Sequence, residues 1–487
     1  MTEPTAPDAL VTSVPLTRMA HAFSIQLICR ALGMLASVVS VAMTARYLGP
    51  GRYGLLTVAA AFIGMWTSFA DLGFATVIVR RVTAGRGDLE RLVRVNSGMA
   101  LVYCVPLAAL AAGSGLLVYS DADVRVMLVV LSGGLLMQTV VTRFEPVFLA
   151  TVRFSAVAVS DVTARVATLT MVACLVTARA DVIWFAVAQL IPPAVQLLIQ
   201  GAAAMRHISV RPIFAARESA DLLRETLPLI GFMVVGILYT RADGVILSLL
   251  STHSEVGVYG LALTIAFNTI VVSLIFHKAT LATATELFSR DVAAFAHFLR
   301  RSVELMYFAA VPVAVVGVLL AGPLIALFGD KAFVARGTPA LALLFVAAAL
   351  RFVGGTLGQG LVAAHYQQVL LWLTVATLAL NVGLNLALAA RLGAVGPGVA
   401  LVCTELFNMV VSSWWLRRRC GYRTPVIFVL RLLIPTGASV VVTLLLSGHH
   451  VILVLAAAAV VYLATSAVFG PITRSTLATL REKQLTP

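Results

Sequence analysis

The chain has 487 residues, of which 60% are hydrophobic and 11% are charged. Ordinary soluble domains carry roughly 25% charged residues, so this chain cannot cover itself with polar surface, and a soluble globular protein is excluded. The net charge of +14 would suit nucleic acid, but the basic residues lie between apolar runs and not on an aromatic-interleaved patch. We therefore expect no nucleic-acid partner.

The N-terminal segment is polar and rich in Pro and Thr, and it lacks the pattern of a signal peptide. We expect residues 1–20 to form a disordered cytoplasmic tail. Fourteen apolar runs follow, and each approaches the length of about 20 residues that a bilayer-spanning helix needs. The predicted spans are residues 22–45, 54–79, 95–118, 125–148, 155–177, 182–204, 227–250, 256–285, 303–328, 338–362, 366–390, 394–416, 426–446 and 451–470. The predicted fold class is all-α, a polytopic membrane protein with about 14 transmembrane helices.

The loops between the spans differ in charge. Alternate loops hold about three times as many Lys and Arg residues as the others, and the positive-inside rule places these basic loops in the cytoplasm. Both termini are then cytoplasmic, residues 471–487 form a second tail, and the protein lies in the inner (plasma) membrane. The longest loop, residues 205–226, is a cytoplasmic linker, and no inserted soluble domain is expected.

A short motif occurs twice, 206 residues apart. Residues 51–55 read Gly-Arg-Tyr-Gly-Leu and residues 257–261 read Gly-Val-Tyr-Gly-Leu, each at the predicted outer start of a helix. Both copies share one orientation, which predicts two six-helix lobes related by an axis along the membrane normal. The lobes are residues 21–204 (N-lobe) and 227–416 (C-lobe), with two extra helices at residues 426–470. Chance is the alternative for so short a match, and the spacing of six spans argues against it.

Several charged residues fall inside the apolar spans, where they are costly and usually face a cavity or a partner. Asp161 and Arg165 are four residues apart on one helix face, and we interpret them as a structural ion pair in preference to a substrate contact. The charged residues deepest in the spans are Arg30, Asp71, Asp161, Arg165, Arg241, Asp243, Lys278, Arg351 and Glu405.

Two further pairs within this set do not lie on one helix face as Asp161 and Arg165 do. Arg241 and Asp243 point away from each other on a helix, so each needs its own partner. Arg30 and Asp71 lie at similar depth in adjacent antiparallel spans, and neutralising each other and serving a function are equally good interpretations.

Signals of catalysis are poor. The chain contains no P-loop, no His-Glu-x-x-His and no Gly-x-Ser-x-Gly motif. Its cysteines are widely spaced and form no Cys-x-x-Cys pair. Asp121-Ala122-Asp123 has the form that metal-dependent glycosyltransferases use, but it lies in a short loop and is interpreted as a solvated turn. We predict a protein that is not an enzyme and has no catalytic residues, metal or cofactor.

Residues 45–54, Ala-Arg-Tyr-Leu-Gly-Pro-Gly-Arg-Tyr-Gly, are followed by Asp71-Leu72-Gly73 and Arg80-Arg81. Together with residues 241–243, 256–260 and 393–400 they resemble the polysaccharide transporter family, the Wzx-type flippases of the multidrug/oligosaccharidyl-lipid/polysaccharide exporter superfamily. The resemblance implies two six-helix lobes forming a V, plus two helices, that alternate between inward-open and outward-open states.

The resemblance also implies a function. A lipid-linked (isoprenoid-diphosphate) oligosaccharide or glycolipid would move from the inner to the outer leaflet for cell-surface polysaccharide assembly. Membrane lipids and a polysaccharide polymerase or other assembly proteins are the other candidate partners. Since no ATP-binding motif is present, an ion gradient or the membrane potential would supply the energy.

In that arrangement the first span of each lobe lines the cavity, which selects Arg30 and Arg241 for substrate binding, with Arg351 third. Asp71 and Asp243 are candidates for coupling or charge balance. Six intramembrane Arg and Lys residues, the five named above and Arg431, exceed four carboxylates, which favours an anionic lipid over a cationic drug. An ion-coupled multidrug exporter of the same fold remains the alternative, followed by a membrane-embedded glycan polymerase or glycosyltransferase.

Overall fold

The computed structural model describes residues 16–67, 69–70, 73–151, 155–206, 208–209 and 211–469, with the backbone alone for residues 16–31, 151, 228–229 and 232–233. All regular secondary structure in these ranges is helical, which confirms the predicted all-α class. Residues 1–15 of the predicted N-terminal tail and all of the predicted C-terminal tail lie outside the described residues.

The helices follow the predicted spans along the chain. The first eight are α1 (Leu16–Thr67), α2 (Phe74–Thr83), α3 (Leu89–Val118), α4 (Ala122–Thr142), α5 (Glu145–Thr151), α6 (Ser155–Thr177), α7 (Val182–Ala188) and α8 (Ile191–Met205). The next six are α9 (Ala216–Leu250), α10 (His253–Phe267), α11 (Val271–Arg290), α12 (Val292–Leu319), α13 (Ala321–Phe328) and α14 (Lys331–Ala363). The last five are α15 (Gln367–Leu392), α16 (Val395–Cys420), α17 (Val426–Arg431), α18 (Leu433–Leu445) and α19 (Val451–Phe469).

Every predicted span overlaps at least one of these helices. Among the described residues, twelve helical segments are long and apolar enough to cross a membrane. They count α1 once, although it contains the first predicted span and most of the second, and they do not include α9, which corresponds to the seventh. The chain is therefore a multi-pass helical membrane protein.

A kink divides α1 into two limbs. Gly49 has a φ of 66°, a left-handed conformation that glycine adopts without the steric cost a side chain would impose. Pro50 follows, and its ring removes a backbone donor from the helix. This Gly-Pro pair therefore changes the direction of the chain between two apolar runs without a loop.

The chain divides into two compact units. Unit 1 comprises Met1–Val41, Ala70–Ser114 and Val129–Leu227, and unit 2 comprises Ala42–Phe69, Gly115–Leu128 and Pro228–Pro487. Unit 2 thus includes two segments that the predicted lobe boundaries assign to the N-lobe. Those boundaries, residues 21–204 and 227–416, stay a prediction.

Helix α14 lies at the centre of unit 2 and is the most buried of the twelve apolar segments. It packs against α10, α12 and α16. Small residues permit the close approach: a Cβ on Gly317 of α12 would lie only 2.7 Å from Cδ2 of Phe345. This packing holds the side chains that α14 and α16 direct toward each other in fixed positions.

Candidate functional site

Helix α9 presents Arg241 and Asp243 to different surroundings. The Asp243 side chain is buried, with 3% of the residue exposed, whereas Arg241 is exposed. The two-residue spacing turns the side chains about 200° apart on a helix. Each residue therefore has its own environment, as the spacing predicts.

The carboxylate of Asp243 is fully engaged inside unit 2. Tyr259, on α10, donates a short hydrogen bond from its hydroxyl to Oδ2. The backbone N–H of Gly244 donates to Oδ1 at 2.8 Å. Two donors on a buried carboxylate offset the cost of removing it from water.

A second buried carboxylate, Glu405 on α16, is 2% exposed. It accepts a hydrogen bond from the Tyr239 hydroxyl at 2.9 Å, and Arg351 Nη1 of α14 lies 3.6 Å from its Oε1. The Arg351 guanidinium also lies over the rings of Tyr239 and Phe267, with its Cζ 5.7 and 5.5 Å from the two centroids, a distance typical of cation–π contacts. Arg351 is thus compensated within the protein.

Arg241 has a different environment from Arg351. Its guanidinium lies beside Gly64 in the second limb of α1, where a Cβ would be 3.5 Å from the Arg241 Cζ. Within the part of the chain that the structure describes, no carboxylate lies within ion-pair distance of Arg241. A cation inside a membrane span, as predicted for Arg241, is costly unless it faces water or a ligand. Of the predicted residues whose side chains are described, Arg241 is the strongest candidate for contact with an anion.

The remaining predicted residues lie elsewhere. In unit 1, Arg165 Nε donates to Asp161 Oδ2 at 3.1 Å, within one turn of α6. Arg30 lies in α1, but its side chain is outside the described residues, and Asp71 is outside them altogether. Lys278 lies on α11 and is exposed.

Sequence reasoning missed the tyrosines of this site. Tyr239 lies two residues before Arg241, and Tyr259 belongs to the repeated motif. The sequence pattern nevertheless assigned neither tyrosine a role in the site. A tyrosine in an apolar run also suits the membrane interface, and only the packing of α9 against α10 and α16 shows which carboxylate each hydroxyl serves.

The hydrogen bond to Asp243 makes a stability prediction. Tyr259→Phe should lower the free energy of unfolding by about 1.5–3 kcal/mol, because the lost bond ends on a carboxylate. Tyr119→Phe is the matched control: its buried hydroxyl lies 2.6 Å from Ser248 Oγ, and loss of such a neutral bond should cost about 0.5–1.5 kcal/mol. Thermal unfolding in detergent measures both, and equal losses would show that Asp243 does not depend on Tyr259.

The two copies of the repeated motif lie against each other within unit 2. A Cβ on Gly257 would overlap the carbonyl oxygen of Pro50 and would lie 2.8 Å from the backbone nitrogen of Gly54. A Cβ on Gly54 would overlap the carbonyl oxygen of His253. The start of α10 and the second limb of α1 therefore meet backbone to backbone, a contact that only glycine permits.

Polar contacts support this crossing. Arg46 donates to the carbonyl oxygens of Gly329 and Ala326 at 3.1 and 3.0 Å, at the C-terminal end of α13, where a cation is favourable. His253 Nε2 lies 3.6 Å from Asp121 Oδ2. We call this region, defined by Gly54 and Gly257, the glycine crossing.

Comparison with known proteins places the fold. A family model described as polysaccharide biosynthesis protein matches residues 20–283, more than half of the chain. An inward closed conformation of the lipid II flippase MurJ aligns with a TM-score of 0.77 at 14% identity, covering 91% of this chain and 98% of that chain. An inward-facing multidrug resistance MATE family transporter of the MOP superfamily aligns with a TM-score of 0.66 at 15% identity, covering 81% and 98%.

A third solved structure is a MOP superfamily transporter from Pyrococcus furiosus, whose binding pocket is described as having reverse polarity. It aligns with a TM-score of 0.51 at 17% identity, covering 82% of this chain and 93% of that chain. No curated protein matches the chain. At these identities the structural likeness shows the fold alone, which is that of MurJ and the MATE transporters.

Proposed function

The chain belongs to the polysaccharide biosynthesis protein family, and we propose that it flips an isoprenoid-diphosphate-linked oligosaccharide or glycolipid from the inner to the outer leaflet. The observation that carries this proposal is Arg241, an exposed cation on a predicted membrane span that forms no ion pair with any described residue. The likeness to MurJ, a lipid II flippase, supports a lipid-linked substrate.

The chemistry of such a substrate suits this arrangement. A diphosphate carries about two negative charges and cannot enter hydrocarbon unpaired, whereas its isoprenoid tail can stay in the lipid. The planar guanidinium of Arg241 can bind phosphate oxygens through two parallel hydrogen bonds and keeps its charge when partly desolvated. Arg30, on the first span, is the second proposed contact.

The distribution of exposure argues for an anion over a cationic drug. Asp243 and Glu405 are both buried and hydrogen-bonded, while Arg241 is exposed. The formal charges of Arg241, Asp243, Arg351 and Glu405 balance. The surface that these side chains offer to a ligand is nevertheless cationic, because both carboxylates are buried and Arg241 is exposed. A multidrug exporter for cations would need the opposite arrangement, with a carboxylate accessible.

The transport cycle in this proposal is alternating access in the inner membrane, with both termini in the cytoplasm and an ion gradient or the membrane potential as the energy source. The glycine crossing lies at the predicted outer ends of the helices, so we assign it as the outer gate. Asp71 and Asp243 are the proposed coupling or balancing groups, and a polymerase or other assembly proteins would receive the substrate.

Deletion of the gene tests the proposal. We expect the lipid-linked saccharide to accumulate in the inner leaflet and surface polysaccharide to be lost, with both restored by the wild-type gene on a plasmid. The measurement is extraction of lipid-linked saccharide together with surface-glycan staining. Unchanged glycans with increased sensitivity to cationic dyes would instead show a multidrug exporter.

A further inference from the structure

An apolar cavity of about 540 Å³ opens in unit 1. One wall is the α3 face that includes Met99 and Val102, and the other is formed by Phe214 and Leu223, before and within the start of α9. Val102 and Phe214 remain 63% and 69% exposed. We call this cavity the α3–α9 groove.

Polar contacts tie the two walls of the groove together at one end. The backbone N–H of Ile213 donates to the carbonyl oxygen of Arg94 at 3.0 Å, and Arg94 Nε donates to the carbonyl oxygen of Arg211 at 3.1 Å. Arg91 Nη2 lies 2.7 Å from Glu218 Oε1. The groove is therefore preformed, because its second wall is tied to α3 along the chain segment before α9.

Ion pairs near the groove determine which charged side chains remain available to a ligand. Hydrogen bonds from Arg91 and Arg81 hold the pKa values of Glu218 and Glu225 below the ordinary range, so both carboxylates stay ionised and committed. The segments 80–94 and 206–225 together hold nine arginines and five carboxylates. The two chain segments that flank the groove therefore carry excess positive charge.

Two of these arginines lie next to the apolar wall. Arg217 and Arg224 are seven residues apart, hence on one face of α9, and each directly follows a groove-lining residue, Ala216 or Leu223. Both are exposed. Neither forms an ion pair with any described residue. The groove thus joins an apolar trough to a pair of free cations.

We propose that the α3–α9 groove binds an anionic phospholipid, with one acyl chain against Val102 and Phe214 and the phosphate at Arg217 and Arg224. Val102 is eight residues along α3 from Arg94, about 12 Å by helical rise. Because that depth lies within the membrane-spanning part of α3, a lipid chain can fill it and a cytoplasmic protein cannot. Basic pockets between transmembrane helices on the cytoplasmic side suit anionic head groups.

A lipid-binding experiment on the purified full-length protein tests this site. Phosphatidylglycerol and phosphatidylcholine with identical acyl chains would be titrated, with bound lipid counted by native mass spectrometry and thermal stability followed in parallel. We expect tight binding of phosphatidylglycerol, reduced about thirtyfold in Arg217→Gln/Arg224→Gln, since each basic residue near an anionic head group contributes about 1 kcal/mol. The matched control is Arg418→Gln/Arg419→Gln, which removes the same charge from the end of α16 and should leave this binding unchanged.

Filling the groove tests its apolar part. Val102→Trp, or Leu223→Trp from the opposite wall, should remove the bound phosphatidylglycerol. Equal binding of the two lipids, or full binding in the folded tryptophan variants, would overturn the proposal. Displacement of phosphatidylglycerol from this groove by a polyprenyl phosphate would overturn it too, since the occupant would then be the tail of a substrate. The assay measures no transport, so its result is independent of the proposed function.

Discussion

Replacing Arg241 with alanine is expected to abolish flipping and leave the protein folded. The guanidinium is exposed and forms no ion pair with a described carboxylate, and the buried Asp243 keeps its hydrogen bonds from Tyr259 and Gly244 when Arg241 is removed. Two charge-assisted hydrogen bonds to a diphosphate, each worth about 1.5–3 kcal/mol, correspond to a loss of at least a hundredfold in transport. Arg241→Lys should restore transport only in part, because lysine keeps the charge and lacks the planar fork.

The measurement is complementation of the deletion strain, read as surface polysaccharide, beside the thermal stability of each purified variant. Arg431→Ala is the control, since Arg431 is also an exposed arginine on a predicted span and lies outside the cluster around α9. Normal complementation by folded Arg241→Ala would show that Arg241 does not bind the substrate. Failure of Arg241→Ala to fold would assign the residue a structural role.

The helices of this protein could be predicted because a bilayer requires continuous apolar segments with internally satisfied backbone groups. That requirement is local, so each span predicted from hydropathy overlaps a helix of the structure. The course of α1 was harder to predict, because a Gly-Pro pair between two apolar runs suits a loop as well as a kink. Only the structure shows that the helical conformation is interrupted at Gly49 alone and that the two limbs meet there at a kink.

The candidate site divides in the same way between local and non-local features. The contact between Asp161 and Arg165 lies within one helix turn, so the helical repeat alone predicts it. Glu405 meets Tyr239, which lies 166 residues earlier in the chain, and that contact depends on which helices pack together. Charged residues in apolar spans therefore indicate which helices carry the site, whereas the pairing that leaves Arg241 without an ion pair could not be predicted.

Replacing Gly257 with alanine is expected to prevent closure of the proposed outer gate. The new Cβ would overlap the carbonyl oxygen of Pro50 and lie 3.0 Å from the Cα of Gly54. Backbone atoms cannot rotate away as a flexible side chain can, so α10 and the second limb of α1 must separate. We expect transport to fall at least tenfold and the folded protein to stay open on this side.

Gly51→Ala is the matched control for Gly257→Ala. Gly51 belongs to the other copy of the motif and lies in a helix, but a Cβ there would meet nothing within 4 Å. Both substitutions gain the same helix propensity, roughly 0.5–1 kcal/mol, so a difference in transport reports the contact alone. Thr57 lies against Gly260 of α10, beside the glycine crossing. Labelling of Thr57→Cys by a membrane-impermeant thiol reagent, in a cysteine-free background, should therefore increase in Gly257→Ala and stay low in Gly51→Ala. Normal transport and unchanged labelling in Gly257→Ala would mean that the cycle does not require the glycine crossing to close.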